Sequence, residues 1–313
     1  MARVGGRPRD LDACGGACPT FETLSLTPRG VGEDTYIPGH PVHGKRPVYR
    51  PPMTTPRGMG VYVWSARQSA IGTPKALSTQ LAAAGIRWVA FGGPWQGPPK
   101  KTALLSEPAQ IRVYADALAA AGIESHVWGY PWWSEIDLFA AKMKECTSPN
   151  VRGWLLDPEK GLRSQPAAMR ALVRGSLAAM PGRSVGLTSF ARTSLMGDVP
   201  WAEMAKLTYG SPQLYTVDGP AVEKGLDEWA AKGFAEIIPS FGFHAKLPLV
   251  PGEKQRYRDK RPRELDDHFA TFIDPAVPVR AMIGWMHKWI ADDCWDVVLK
   301  WSKRLDRGVL AVP

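Results

Sequence analysis

From Gly58 onward, short apolar runs alternate with stretches of helical period. The first run, Gly60-Val-Tyr-Val-Trp64, precedes a helix that Pro74 opens and Gly85 closes. Arg87-Trp-Val-Ala-Phe91 is the second strand, and Pro108 opens a helix running through Ala121 to Gly122. Six further strands are predicted at Ser125 to Tyr130, Gly153 to Asp157, Ser184 to Ser189, Leu207 to Tyr215, Glu236 to Phe241 and Val279 to Trp285. The helices between and after them fall at Asp137 to Cys146, Pro166 to Met180, Trp201 to Lys206, Pro220 to Lys232, Glu264 to Phe272 and Asp293 to Leu305. The recurring Ala-Ala-Gly-Ile, at Ala83 to Ile86 and Ala120 to Ile123, is a glycine helix stop feeding a strand. Regular β-α alternation predicts a parallel sheet. Eight units without a dinucleotide glycine fingerprint favour closure into a (β/α)8 TIM barrel over an open doubly wound sheet.

Two segments follow from the pattern. Residues 1–57 read as an irregular basic extension, dense in Pro, Gly and Arg and without sustained period; residues 58–313 read as the barrel. At 313 residues and 44% hydrophobic, the chain can bury a full core. No apolar run approaches the roughly 20 residues that span a bilayer. The first ten residues lack an apolar stretch of the kind a secretory signal carries. The expected location is therefore the cytoplasm until release, and action outside a cell would need another means of delivery.

The formal net charge of +9 favours polyanionic surroundings such as an anionic cell wall. No nucleic-acid-binding motif accompanies it. The densest basic cluster, Lys254 to Arg263, reads as a solvated loop. Cys146 and Cys294 read as buried free thiols. Cys14 and Cys18 with His40 and His43 supply a zinc-type ligand set without a standard finger spacing; a local disulfide or two free thiols are the other readings. In all three cases the extension orders through a staple, through the barrel wall or through an acidic protein partner. No cofactor is expected, and the strand ends carry no His/Asp metal set.

In a barrel of this kind the chemistry sits at the C-terminal ends of the strands. The fourth strand ends in Gly153-Trp-Leu-Leu-Asp157-Pro-Glu159. Side chains alternate along a strand, so Asp157 and Glu159 face the same side if the extended geometry persists. Paired carboxylates can cleave a glycosidic bond, one donating a proton while the other stays ionised. The same residues also read as a helix start, with Asp as cap and Pro in the first turn. The other strand ends are rich in aromatics: Trp64; Trp95; Tyr130, Trp132 and Trp133; Gln213 and Tyr215; Trp285. Of the 13 tryptophans in the chain, many fall at these ends, where their faces suit the C–H faces of sugar rings. Single tryptophans are ordinarily packing residues. His244 and His287 are candidate rim residues.

The order of units, the aromatic strand ends, Asp157-Pro-Glu159 and Pro212-Gln-Leu-Tyr215 resemble glycoside-hydrolase-like TIM barrels over roughly residues 58–305. Nearest in pattern are the family 25 lysozymes and related phage-lysin and cell-wall barrel domains; chitinase-type barrels are more loosely similar. The resemblance implies Glu159 as proton donor and Asp157 as its partner, acting on a peptidoglycan-type polysaccharide. It implies sugar-binding roles for Trp64, Trp95, Tyr130, Trp132, Gln213, Tyr215 and Trp285. Family 25 enzymes usually carry a further aspartate after strand one, where this chain reads Trp64-Ser65-Ala66. An inactive barrel serving as a structural or binding component of a phage particle or injection apparatus is the alternative.

Overall fold

The computed structural model describes residues 55–66, 72–97, 101–215, 219–246, 257–272, 279–285 and 290–307. Cys14, Cys18, His40, His43, His287 and nearly all of the 1–57 extension lie outside the described residues.

Eight parallel strands close into a barrel: β1 (Gly58–Val63), β2 (Ile86–Gly97), β4 (Glu124–Tyr130), β5 (Val151–Leu156), β6 (Ser184–Phe190), β7 (Tyr209–Gln213), β8 (Ser240–Gly242) and β11 (Ala281–Trp285). Closure comes from β1, which pairs with β2 on one side and β11 on the other. Helices α1 (Pro74–Ala83), α2 (Pro108–Ala120), α3 (Ile136–Glu145), α4 (Pro166–Ala179), α5 (Trp201–Met204), α6 (Gly219–Ala230), α7 (Pro262–Ala270) and α8 (Trp295–Asp306) alternate with them. The fold is the (β/α)8 TIM barrel that the pattern predicts.

Local chemistry explains the boundaries. Thr73 caps α1, its hydroxyl accepting from the Ala76 amide at 3.2 Å, and Pro74 fills the first turn. Gly85 and Gly122 follow α1 and α2 at φ +71° and +72°, the left-handed conformation that ends a helix without a Cβ penalty. Odd and even positions of the strands go to different cores. On β1, Met59, Val61 and Val63 pack outward under the helices, while Tyr62 faces the barrel interior with Trp88, Trp128, Leu155 and Tyr209.

The structure differs from the sequence reading in three places. Strand β2 continues to Gly97 and turns back into a short antiparallel β3 (Lys101–Leu104). The seventh barrel strand is laddered only over β8, with a single bridge at Ile237, because Pro239 has no N–H to donate between them. The basic cluster is no solvated loop from Tyr257 on: β10 (Tyr257–Asp259) pairs with β9 (His244–Lys246). Arg258 forks onto Glu264 at 2.7 and 2.5 Å. Lys260 is buried, its ammonium donating to the Gly242 carbonyl at 2.7 Å, and burial pushes its pKa down to about 7. Cys146 and Cys294 are buried free thiols, as expected. No described helix is long and apolar enough to cross a membrane.

Candidate active site

Asp157 follows β5 directly, and its amide donates to the Gly129 carbonyl at 2.8 Å, extending the β4–β5 pairing by one residue. The alternation that turns Leu155 inward therefore carries on to Asp157, which is buried at the top of the barrel. Pro158 fixes the next φ, and the Ser189 hydroxyl on β6 holds its carbonyl at 2.6 Å. The chain then turns through Lys160 to Ser164 before α4 begins at Pro166. Asp157-Pro-Glu159 is thus a strand end and a loop; the helix-start reading of these residues fails.

Both Asp157 oxygens accept hydrogen bonds. Trp128 Nε1 on β4 donates to Oδ2 at 3.1 Å, and Gln213 Nε2 on β7 donates to Oδ1 at 2.9 Å. Burial and the neighbouring Glu159 hold the Asp157 carboxyl well above the usual carboxylate range, against the pull of these two donors. Glu159 is half-buried, and desolvation raises its pKa as well, opposed by a hydrogen bond from Gln213 and by the charge of Lys160. One amide side chain therefore serves both carboxyls. Two carboxyl groups with raised proton affinity, sharing a donor at a strand end, are equipped to hold and release a proton above the usual carboxylate range.

The aromatic strand ends converge beside this pair. Trp285 meets Tyr62, Trp64, Trp128 and Tyr215 at centroid distances of 4.9, 5.6, 5.5 and 5.7 Å, stacking on Tyr215 at 26°. Trp64 lies 5.2 Å from Trp128. The Tyr215 hydroxyl is held protonated, first by burial and then by the charges of Tyr62, Asp157 and Glu159. His244 leans on Tyr215 at 6.2 Å. A second group stands on the β2–β4 side. Trp95 tilts over Tyr130 at 6.3 Å, and the Tyr130 hydroxyl, pushed up mainly by burial, feels both carboxylates. Trp132 lies across Gly161, where an added Cβ would fall 2.3 Å from its ring. Of the sugar-binding candidates, Trp64, Gln213, Tyr215 and Trp285 gather with the carboxylates; Trp95 and Tyr130 pair at their side, and Trp132 packs on Gly161, two residues beyond Glu159.

The sequence places Tyr62, Trp128 and Ser240 at strand ends without giving them a role, and it does not single out Ser211 or Gln96. Trp128 supplies the indole donor to Asp157, and its position two residues before Tyr130 on one strand face was the available signal. Beneath it, the Tyr62 hydroxyl bonds Ser240 Oγ at 3.2 Å, and Ser240 bonds Ser211 at 2.8 Å, a pairing across strands with no sequence signature. Gln96, in the unpredicted part of β2, accepts from the Trp132 amide at 2.5 Å and donates to the Glu135 carbonyl at 3.2 Å. Among the described residues no cluster of His, Cys, Asp and Glu could hold a metal ion.

No protein-family model matches this chain, and no curated protein matches it significantly. Solved structures share its fold. The spore cortex-lytic enzyme SleL of Bacillus cereus superposes with a TM-score of 0.59 at 10% identity, over 80% of this chain and 76% of that one. A GH113 β-1,4-mannanase superposes with a TM-score of 0.59 at 11% identity, over 80% of this chain and 99% of that one. The xylanase and amylase inhibitor protein XAIP-III gives 0.52 at 13% identity, over 80% and 98%. At these identities the likeness is one of fold, the (β/α)8 barrel. None of the three places the chain among the family 25 lysozymes.

Proposed function

We propose that this protein is a glycosidase that cleaves a cell-wall polysaccharide of peptidoglycan type. The observation that carries the reading is the pair Asp157 and Glu159: two carboxyls of raised pKa, sharing Gln213, beside the stacked Tyr215 and Trp285, with Trp64 edge-on to Trp285. Glu159, the more accessible of the two, gives its proton to the glycosidic oxygen as the bond to the anomeric carbon breaks. Asp157, buried and held by two N–H donors, anchors the strand end beside it, and the charge of Glu159 raises its proton affinity. Water then bonds through its oxygen to the anomeric carbon and gives up a proton to the Glu159 carboxylate, which restores the acid. The cell-wall substrate is supported by the net charge of +9, which suits an anionic wall, and by the fold shared with a cortex-lytic enzyme. A phage origin, transport in the particle or release from the cytoplasm, and a protein partner for residues 1–57 complete the proposal.

A zymogram on purified peptidoglycan, comparing wild type with Glu159→Gln, tests it: clearing by wild type and none by the variant is the expected result. No clearing on any polysaccharide would favour the second reading, an inactive binding barrel. That reading draws on Trp64-Ser65-Ala66, which puts no acid after β1, and on an inhibitor protein having the same fold.

A further inference from the structure

Trp133 is half exposed, at 50%, although it sits in a turn pinned from two sides. Its amide donates to the Gly161 carbonyl at 3.2 Å, and Gln96 on β2 ties down the flanking Trp132 and Glu135. The turn is thus fixed to the same loop that carries Glu159, while the Trp133 ring faces water. Because the backbone that carries the ring is already fixed, a partner has only the rotation of the side chain itself to arrest. Beside it opens a groove of about 600 Å³ between the start of α3 and the first turns of α4. That lies within the roughly 300–1,000 Å³ range of small-ligand sites.

Leu138, also exposed, flanks the groove, and Ala168 and Ala171 give it a smooth floor. Its polar lining is Ser134 and the carboxylates of Glu135 and Asp137, with no cationic side chain among the described residues. Such a lining repels phosphate-rich polymers and accepts hydrogen bonds from neutral hydroxyls. An aromatic face with acceptors at its edge fits a pyranose ring, whose C–H face is apolar and whose rim donates.

We infer that the Trp133 groove is a distal sugar subsite, binding a neutral glycan strand that runs from the carboxylates past Trp132. This rests on the glycosidase reading for the continuity of the strand, and on the groove itself for the binding. Trp133 supplies the platform; Glu135 and Asp137 accept from sugar hydroxyls.

Two measurements on the full chain test it. In turnover, Trp133→Ala is expected to lower the ratio of polymer to short-oligosaccharide kcat/KM roughly tenfold, equivalent to about 1.4 kcal/mol, and Trp133→Phe to restore most of it. In pelleting with insoluble peptidoglycan, Glu159→Gln is expected to be retained and Glu159→Gln/Trp133→Ala to be largely released, with circular dichroism confirming that both are folded. Retention lost with Trp133 in a protein that cleaves nothing would sustain the subsite while removing the glycosidase reading. Equal retention of the two variants, an unchanged turnover ratio, or no retention of either would overturn the subsite.

Discussion

The two ends of the barrel interior are built from the same residue types and do different work. At the N-terminal end of the strands, Trp88 and Tyr209 are buried to zero exposure, filling space that glycines leave. A Cβ on Gly60 would fall 2.3 Å from the Trp88 ring, and one on Gly186 would fall 2.1 Å from Tyr209. The polar atoms there are poorly served: the Tyr209 and Ser184 hydroxyls and both His126 nitrogens have no hydrogen-bond partner among the described residues, with Glu124 standing 3.6 Å from His126 Nε2. At the C-terminal end, Trp64, Tyr215 and Trp285 are only half-buried, and both oxygens of Asp157 are hydrogen-bonded. Tryptophan density therefore does not mark a site in this protein. What separates the two ends is that one of them buries a carboxylate and equips it with donors.

The comparison breaks first at Glu159. Glu159→Gln removes the transferable proton and leaves the ring platform intact, so kcat on a polysaccharide should fall by about 10²–10⁴-fold with thermal stability preserved. A fall of less than tenfold would remove Glu159 from the role of acid. At the other end, Trp88→Ala should cost stability: about 3–5 kcal/mol for deleting a buried tryptophan, read as a lower urea midpoint at unchanged slope. The folded fraction should keep the wild-type pH–rate profile. A cost below about 1 kcal/mol would mean that this layer is not the packing core its burial describes.

Asp157 sharpens the contrast, because function and stability oppose each other there. Its pKa is higher in the folded than in the unfolded chain. Below the ordinary carboxylate pKa both states bind the proton and nothing is lost. As pH rises from that value towards the folded pKa, the unfolded chain releases its proton first, and stability falls. Asp157→Asn removes the liability: its carbonyl can still accept from Trp128, and its amide can meet Gln213 once that side chain turns over. The variant should melt higher than wild type at neutral pH, by roughly 2–4 °C for each kcal/mol relieved, and the advantage should vanish in acid. A variant less stable than wild type at neutral pH would show that the charged form is the favoured one.

The barrel was legible because each β-α unit declares itself locally, by Pro at a helix start, Gly at a stop, and an apolar run between. Asp157 was legible for a related reason, since strand alternation places it with Leu155. What was hidden depends on partners distant in sequence. The Trp128 indole reaches Asp157 from 29 residues away and the Gln213 amide from 56. The sequence assigned Gln213 to sugar; the structure turns its amide onto the two carboxyls. The end of β2 was hidden because Gly92-Gly-Pro94 reads as a stop, yet the strand shifts register there and continues through Trp95 and Gln96. Lys260 was hidden in a run of exposed-looking charge, where nothing local distinguishes the one lysine buried among the described residues.

Gln213 gives the smallest effect and the most specific one. Its amide donates to Asp157 and to Glu159, favouring the charged form of each. Gln213→Ala deletes that donor while leaving the Trp128 bond in place, so both carboxyls should hold their protons to higher pH. If protonated Glu159 is the acid, the basic limb of the kcat/KM profile moves up, and because the two groups are coupled the shift belongs to the pair. A loss of sugar contact alone would raise KM and leave the limb where it is. The pH profile therefore separates a residue that tunes the carboxylates from one that grips substrate, and a limb that moves down would contradict the hydrogen bonds described.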